Sequence, residues 1–561
     1  MAFQLSPGVQ VTEKDLTSVV PAVGTSIGGF AGEFRWGPAN EIITISSENE
    51  LVERFLTASV TDVEQYRGWF AAASFLAYTN TLKIVRAINA ATALNAGSTA
   101  GVLIENELDY TENHQSGSGS NGMWAARCPG AAGNSLKVSF ADNSDYSTWT
   151  YKAEFDYAPG TTAFATTAGG SNDEMHIIVI DEDGLFTGTA GTIVEKFAGV
   201  SKALDAIDSF GESNYYKNVI HNRSKYIYWC DHPAAETTWG TLAAGTTFTD
   251  AQTEAESTVS LTGGVDGTLA DADLQSAFLK FGNDEEVDVN LIFTGAASAS
   301  VGGYVIDNVA EIRKDCLVFI SPAAASVVNN VGSEATDIVA EVASASYTRS
   351  SFAVFDSGYK YMYDRYYDRY IYVPCNGDTA GLCANTDNVA DPWFSPAGYN
   401  RGAIKNALKL AYSPNKSDRD ALYKAGVNPI VGFPGSGIVL FGDKTLLDKP
   451  SAFDRINVRR LFITLEKAIA TAAKFQLFEF NDAFTRAQFK NLVEPFLRDV
   501  QGRRGIYDFR VVCDESNNTG QVIDSNQFVA SIFIKPAKSI NFIQLNFIAA
   551  RTGISFEEIG A

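Results

Sequence analysis

Histidine and cysteine are scarce in this sequence and poorly placed for chemistry. Four histidines and six cysteines are spread over 561 residues. Cys128, Cys230, Cys316, Cys375, Cys383 and Cys513 contain no CxxC pair, so neither a disulfide framework nor a structural zinc site is expected. Free thiols in a reducing cytoplasm are the default. The triplet Cys230-Asp231-His232 has no neighbouring ligand at metal-like spacing, and His114, His176 and His221 stand alone. No apolar run reaches the ~18 residues that a bilayer span requires. The opening Met1-Ala-Phe-Gln-Leu-Ser-Pro-Gly8 has neither the charged nor the apolar region of a secretion signal, so synthesis and retention inside a cell are expected. Motifs for a serine nucleophile elbow, a helical zinc protease site and a dinucleotide fold are also missing.

The nearest approach to a phosphate loop is Gly437-Ile-Val-Leu-Phe-Gly442-Asp443-Lys444-Thr445. A phosphate cradle needs its lysine directly after the second glycine, and here Asp443 puts negative charge in that place. The residues between the glycines are apolar, which reads as a strand ending in a turn. The tyrosine-rich Tyr359–Tyr372 segment matches its Lys and Arg with Asp364 and Asp368, so amphipathic strands are expected rather than a base-stacking surface. No catalytic, cofactor-binding or metal-binding residue is assigned.

What is present is globular and unevenly charged. The composition is 45% hydrophobic and 19% charged, and the length suits three or four domains. The net charge of −23 is concentrated: residues 101–300 hold 29 acidic against 9 basic side chains, whereas 401–500 hold 16 basic against 10 acidic. The acidic region is a poor partner for nucleic acid or anionic membrane. The basic region suits a polyanion or an acidic protein surface.

Patterning gives the organisation. Residues 1–22 form an N-terminal arm, in which Val9-Gln10-Val11-Thr12 alternates as one short strand with no hairpin partner beside it. Residues 23–95 and 258–450 read as an α/β core. Its helices are expected at Ser47–Leu56 and Val63–Tyr78, and its strands at Leu82–Ile88, Val289–Thr294, Cys316–Ser321 and Ser351–Phe355. A flexible Gly/Ser/Asn stretch at 91–122 leads into a β-rich, acidic, surface-exposed insertion within 96–257. The C-terminal domain, 451–548, begins with an amphipathic helix over Ile456–Phe478, whose apolar face runs Leu461, Leu465, Ala468, Ala472 and Phe475, with Arg459 and Arg460 mostly off it. A second helix follows the N-cap types Asn481–Asp482. Its charged row is Arg486, Lys490, Glu494 and Arg498, and Pro495 should kink it or end it early. Strands then come at Tyr507–Cys513 and Phe528–Lys535, the latter including Ile532, Phe533 and Ile534. Pro536 breaks it before Ser539–Ala549 resumes as a last extended, apolar strand with Ile543, Leu545 and Phe547, and 549–561 form a C-terminal arm. The fold class is therefore multidomain α/β and α+β: a mixed-sheet core, a β-rich insertion, a helix–helix–strand C-terminal domain and two extended arms.

Ser6-Pro-Gly-Val-Gln-Val-Thr-Glu13 followed by Gly29-Phe-Ala-Gly-Glu-Phe-Arg-Trp-Gly-Pro38 resembles the opening of contractile phage tail sheath proteins. The blocks Leu261–Gly267, Arg313–Cys316, Ser395–Gly398 with Asn400–Gly402, and Gly426–Ile430 run in that family's order. The resemblance implies a cofactor-free structural subunit that polymerises as stacked hexameric rings around a tail tube and contracts by rigid-body rearrangement. It implies contacts with tube, baseplate and tail terminator proteins, no nucleic acid, no membrane insertion, and a place in the virion after assembly in the bacterial cytoplasm. In that frame Val9–Thr12 donates a strand near a neighbour's Ile532–Ile534, and Arg486, Lys490 and Arg498 face the tube. The sheath of a phage-derived contractile injection particle, a secreted strand-donating fibre subunit and a nucleotide-binding enzyme are the alternatives. Nucleotide is accordingly expected to leave the unfolding temperature unchanged, whereas a rise with nucleotide concentration would restore the enzyme reading.

Overall fold

The computed structural model describes residues 24–117, 122–233, 236–250, 257–344, 346–541 and 543–545. The expected arm strand Val9–Thr12 and the tail residue Phe547 lie outside them. The chain divides into two compact bodies. The larger joins Val23–Pro392 to Pro396–Arg459, and the smaller joins Trp393–Ser395 to the chain from Arg460.

The larger body opens with β1 (Gly28–Gly32), β2 (Ile42–Ile45) and β3 (Leu82–Arg86), with α1 (Glu48–Phe55) and α2 (Val63–Leu76) between the last two. Both helices start on capping side chains. Ser47 Oγ accepts from Glu50 N at 3.2 Å, and Asp62 accepts from Glu64 N and Gln65 N at 2.9 and 3.0 Å. The stretch expected to be a flexible boundary is instead tied down where it is described. Buried Asn95 donates to Ile104 O and Ala126 O, both at 3.0 Å, and accepts from Ile104 N at 2.8 Å. One buried amide thus replaces the apolar signal that the stretch lacks.

The insertion follows as β4 (Trp124–Ala126), β5 (Leu136–Asp142), β6 (Glu174–Asp181), β7 (Thr192–Ser201), β8 (Ile227–Trp229) and β9 (Thr258–Ser260). These make an antiparallel sheet ordered β7-β6-β5-β9 and the separate pair β4-β8. Their core is aromatic, with Trp124, Phe140, Tyr216, Trp229 and Trp239. At its edge Lys202 is fully buried, donating to Asp142 at 2.9 Å and Thr249 O at 3.0 Å. A buried ammonium is tolerated only with such partners.

The chain then returns as β10 (Leu291–Phe293), β11 (Leu317–Ile320), β12 (Ala353–Asp356), the hairpin β13 (Tyr359–Asp364) and β14 (Arg369–Pro374), α3 (Asn376–Val389), β15 (Lys409–Leu410), β16 (Val427–Asn428) and the hairpin β17 (Ile430–Phe433) and β18 (Gly437–Leu440). The central sheet runs β16-β12-β11-β10-β1-β3-β2 and is parallel except for β2. Among its inner strands β10 and β11 are unbroken, buried apolar runs, as expected of strands within a parallel sheet. The Tyr-rich segment forms the expected strands, paired as a hairpin with Tyr361 stacked on Tyr370 at 5.4 Å. Its buried face is Lys360, Met362 and Asp364, while Tyr361 and Tyr363 lie on the more open side.

The carboxyl ends of parallel strands are where α/β proteins commonly hold ligands. Here the first turn of α3 fills that space. Asn376 donates to Gly295 O at 2.7 Å and to Ser321 Oγ at 3.0 Å, and Ser321 Oγ donates to Asp356 at 2.8 Å. Lys360 Nζ meets Asp378 at 2.8 Å, both buried. Gly377 admits α2 closely, since a Cβ there would stand 2.3 Å from Ala71 O. Burial pushes the Asp356 carboxyl up to about 8, with Asp378 adding to the shift. Folding therefore retains a proton that the unfolded chain releases near pH 4, and stability falls as pH rises toward 8. The expected slope from this group is at most about 1.4 kcal/mol per pH unit. Asp356→Asn, which mimics the protonated form, should flatten the pH dependence of urea unfolding between pH 5 and 8; an unchanged slope would refute the assignment.

Candidate assembly surface

The smaller compact body takes over from the larger one at Arg460, inside α4 (Ile456–Ala473). Main-chain bonds hold the preceding stretch in the larger body, with Thr445 N donating to Asp454 O at 3.1 Å and Ile456 N to Asp443 O at 2.8 Å. Arg459 and Arg460, expected mostly off the apolar face, are buried. The Arg459 guanidinium lies 4.3 and 4.6 Å from the ring centres of Phe352 and Phe453, so its charge is lodged among aromatics rather than in water.

The smaller body is built from the rest of α4, α5 (Ala483–Gly502), β19 (Ile506–Val512) and β20 (Ser531–Pro536). Asp482 caps α5, accepting from Thr485 N at 2.8 Å. The helix continues past Pro495, which is exposed, rather than ending there. Leu461, Leu465, Phe489, Val493, Leu497 and Val500 form one core with Trp393, and Ile532 and Ile534 pack onto it from β20. β19 and β20 are antiparallel, with Phe509 opposite Ile534 and Val511 opposite Ile532. Among the described residues they pair only with each other, which leaves an open backbone edge on each side. Phe533 and Tyr507 are exposed. Beyond Pro536 the described residues 539–541 and 543–545 do not form the expected last strand. Ile543 and Leu545 there are 77% and 71% exposed, and Ile540 is 81% exposed.

The expected row of basic heads on α5 becomes two. Arg486 is buried and donates to Asn481 Oδ1 at 3.0 Å. Asn481 in turn donates to Asn518 Oδ1 at 3.1 Å and Gln527 O at 2.8 Å. Arg486 thus clamps the base of the α4–α5 connection and is not a surface charge. Lys490 and Arg498 do reach solvent, each flanking Glu494 at 3.6 and 3.8 Å.

That connection is what periodicity misassigned. The helix ends at Ala473, and Phe475, expected on its apolar face, is 75% exposed. Phe478, Phe480 and Phe484 are likewise 104%, 84% and 76% exposed, with Leu477 at 63%. The sequence signal was available in the density of Phe475, Leu477, Phe478 and Phe480, which no single helix face can bury beside an N-cap.

Elsewhere the sparse chemical side chains are occupied. His176 contacts Tyr157 O and Gly199 N at 2.9 Å each, and His232 Nδ1 contacts Tyr216 Oη at 2.6 Å. Asp443 pairs with Arg455 at 3.0 Å, and Lys444 donates to Tyr423 O at 2.8 Å, so the Gly437–Thr445 segment is the expected strand and turn. No group of three His, Cys, Asp or Glu residues is arranged to hold a metal among the described residues.

Open sheet edges, projecting aromatics and an apolar tail define an assembly subunit. The comparisons specify which. The profile of the phage tail sheath protein central domain matches residues 263–446, and that of the phage tail sheath C-terminal domain matches 448–550. The chain is 33% identical to the tail sheath protein of Vibrio phage KVP40 and 32% identical to that of Enterobacteria phage T4, in each case over 99% of both chains. It belongs to the phage tail sheath protein family. The fold is shared with the sheath tail protein of Listeria innocua, with a TM-score of 0.53 at 12% identity over 93% of this chain and 97% of that one. It is also shared with the contracted helical sheath of the anti-feeding prophage, with a TM-score of 0.51 at 12% identity over 98% and 100%.

Removing the clamp should cost stability in a way that removing a surface charge does not. Arg486→Ala removes the guanidinium donor from Asn481 Oδ1 and should destabilise the smaller body by about 1–3 kcal/mol, whereas Lys490→Ala should stay within about 0.5 kcal/mol. Urea midpoints of the two variants read the difference.

Proposed function

We infer that the chain is the structural subunit of a contractile phage tail sheath, part of the virion tail, with no enzymatic step of its own. The observation that carries this is its end-to-end relation, at 33% identity, to a phage tail sheath protein. In this reading, copies assemble as stacked six-membered rings around the tail tube. β19 and β20 supply the physical means. Their open edges suit β-augmentation, in which a strand from another copy completes the ladder. The arm Val9–Thr12 is the proposed donor, and the edge carrying Ile532, Phe533 and Ile534 the acceptor. Such contacts are head-to-tail, and head-to-tail contacts propagate as a helix instead of closing.

The smaller body would face the tube through Lys490 and Arg498. Exposed ion pairs are worth little and are screened by salt, which suits a contact that must hold before contraction and slide during it. Contraction would draw on free energy stored when the extended lattice forms, with no nucleotide consumed. The tube, baseplate and tail terminator are the partners this reading requires.

Electron microscopy of the concentrated chain alone should show hollow helical cylinders or six-fold rings, and persistent monomers would refute the reading. Deletion of residues 1–15 should abolish long polymers. Lys490→Glu with Arg498→Glu should weaken tube docking several-fold at low salt and leave self-assembly intact; unchanged docking would remove these residues from the tube face.

A further inference from the structure

Two lysines buried in the larger body each stand against a buried aspartate, and the two pairs are built differently. Lys202 Nζ lies 2.9 Å from Asp142 Oδ2, but it also donates to Thr249 O at 3.0 Å, meets Asp250 at 3.5 Å and sits 4.9 Å from the centre of the Trp239 ring. Asp142 Oδ1 in turn accepts from Ser144 N and Oγ at 3.2 and 3.0 Å. Both groups are thus well served as ions. Lys360 is not. Among the described residues its Nζ meets Asp378 Oδ1 at 2.8 Å and Lys405 O at 3.2 Å, and the two side chains of the pair are 1% and 0% exposed. The second carboxyl oxygen, Asp378 Oδ2, is buried with no hydrogen-bond partner. A carboxylate left half unsolvated in this way favours its neutral acid form. Burial accordingly raises the Asp378 carboxyl, as it raises that of Asp356 in the same cluster. Tyr78 Oη completes the set, donating to Asp378 Oδ1 at 3.0 Å while accepting from Lys405 N at 2.7 Å.

We propose that Lys360 and Asp378 join spontaneously as an intramolecular amide, which makes the pair a self-modification site of the folded chain. A proton first passes from the ammonium to the carboxylate, leaving an amine and a carboxylic acid. The Nζ lone pair then attacks Cγ, and the charge that develops on Oδ1 is met by the Tyr78 hydroxyl. The Nζ–Cγ bond forms, the Cγ–Oδ2 bond breaks, and the hydroxyl leaves with one amine proton as water. Nothing is oxidised or reduced. Contact between the two groups in a closed pocket supplies the proximity, and exclusion of solvent removes the reactant for hydrolysis. The bond ties β13 to the first turn of α3, eighteen residues further on, and so pins the β13–β14 hairpin to the helix that fills the strand ends. Such a tie resists separation of these elements under load, which a hydrogen-bonded contact does not. It forms in the single folded chain and is independent of the sheath reading.

Mass spectrometry of the denatured full chain is the test. The wild type should be lighter than its sequence by one water, and digestion should yield a branched peptide in which the Lys360 segment is attached to Asp378. Lys360→Arg, which keeps the positive charge, should restore the full mass. Tyr78→Phe should slow the loss of water after refolding by about tenfold or more. A wild-type chain of full mass overturns the proposal even if neither variant folds. So does a loss of water that persists in Lys360→Arg, that maps to a cyclised aspartate or to Lys202 and Asp142, or that proceeds at the wild-type rate in Tyr78→Phe.

Discussion

Two strands paired only with each other do not make a stable sheet in water, because half of the backbone polar groups on each strand lack a ladder partner. β19 and β20 persist because one of their faces is nailed to the helices through Ile532, Ile534, Val511 and Phe509. That packing fixes the sheet, but among the described residues nothing completes its edges, which leaves backbone groups for another strand to satisfy. An edge of this kind accepts a strand in one register and orientation, and it selects through peptide groups, which suits a chain with so little side-chain chemistry.

The charged residues of the smaller body divide by the same logic. Arg486 faces inward to Asn481, and through it the Asn518 amide that accepts from it also accepts from Val529 N at 2.9 Å, just ahead of β20. One buried guanidinium therefore sets both the aromatic loop and the approach to the last strand. Lys490 and Arg498, one and three turns further along α5, are left for weak contacts with Glu494 and solvent. Residues on one helical stripe thus separate into a structural clamp and surface charge. Only the depth at which each turn meets the core decides which is which.

Much of the fold was legible because its signals are local. The helical patterns at Ser47–Leu56 and Val63–Tyr78 match α1 and α2, and the apolar runs at 289–294, 316–321 and 351–355 match inner strands. The Tyr359–Tyr372 alternation reads as strands, and strands form there. What failed was decided by distant partners. Asn95 looks like a loop residue until Ile104 and Ala126 supply its hydrogen bonds. α3, rich in Asn, Asp, Thr and Gly, has no apolar period to announce it, yet it is buried because the carboxyl ends of β10, β11 and β12 provide matching polar groups. Arg486 sits in a clean four-residue charge row, and only the position of Asn481 shows that it points inward. Phe475 continues the apolar period of α4 for one step after the helix has stopped. Of the assembly surface, the open strand was visible as alternation followed by Pro536. The aromatic loop was hidden by the habit of assigning phenylalanine to cores.

Contraction without fuel places a further constraint on where energy can reside. If strand pairing persists through the rearrangement, its hydrogen bonds contribute equally before and after. The free energy that differs between states must then lie in other surfaces, those of the larger bodies among them. In those bodies the potential ligand cleft at the strand ends is filled by Asn376, Ser321, Asp356 and the Lys360–Asp378 pair. They also carry the acidic insertion, with 29 acidic and 9 basic side chains over residues 101–300. Acidic side chains so concentrated favour spacing over close approach to like surfaces, and the effect reaches only the ~8 Å that physiological salt leaves unscreened.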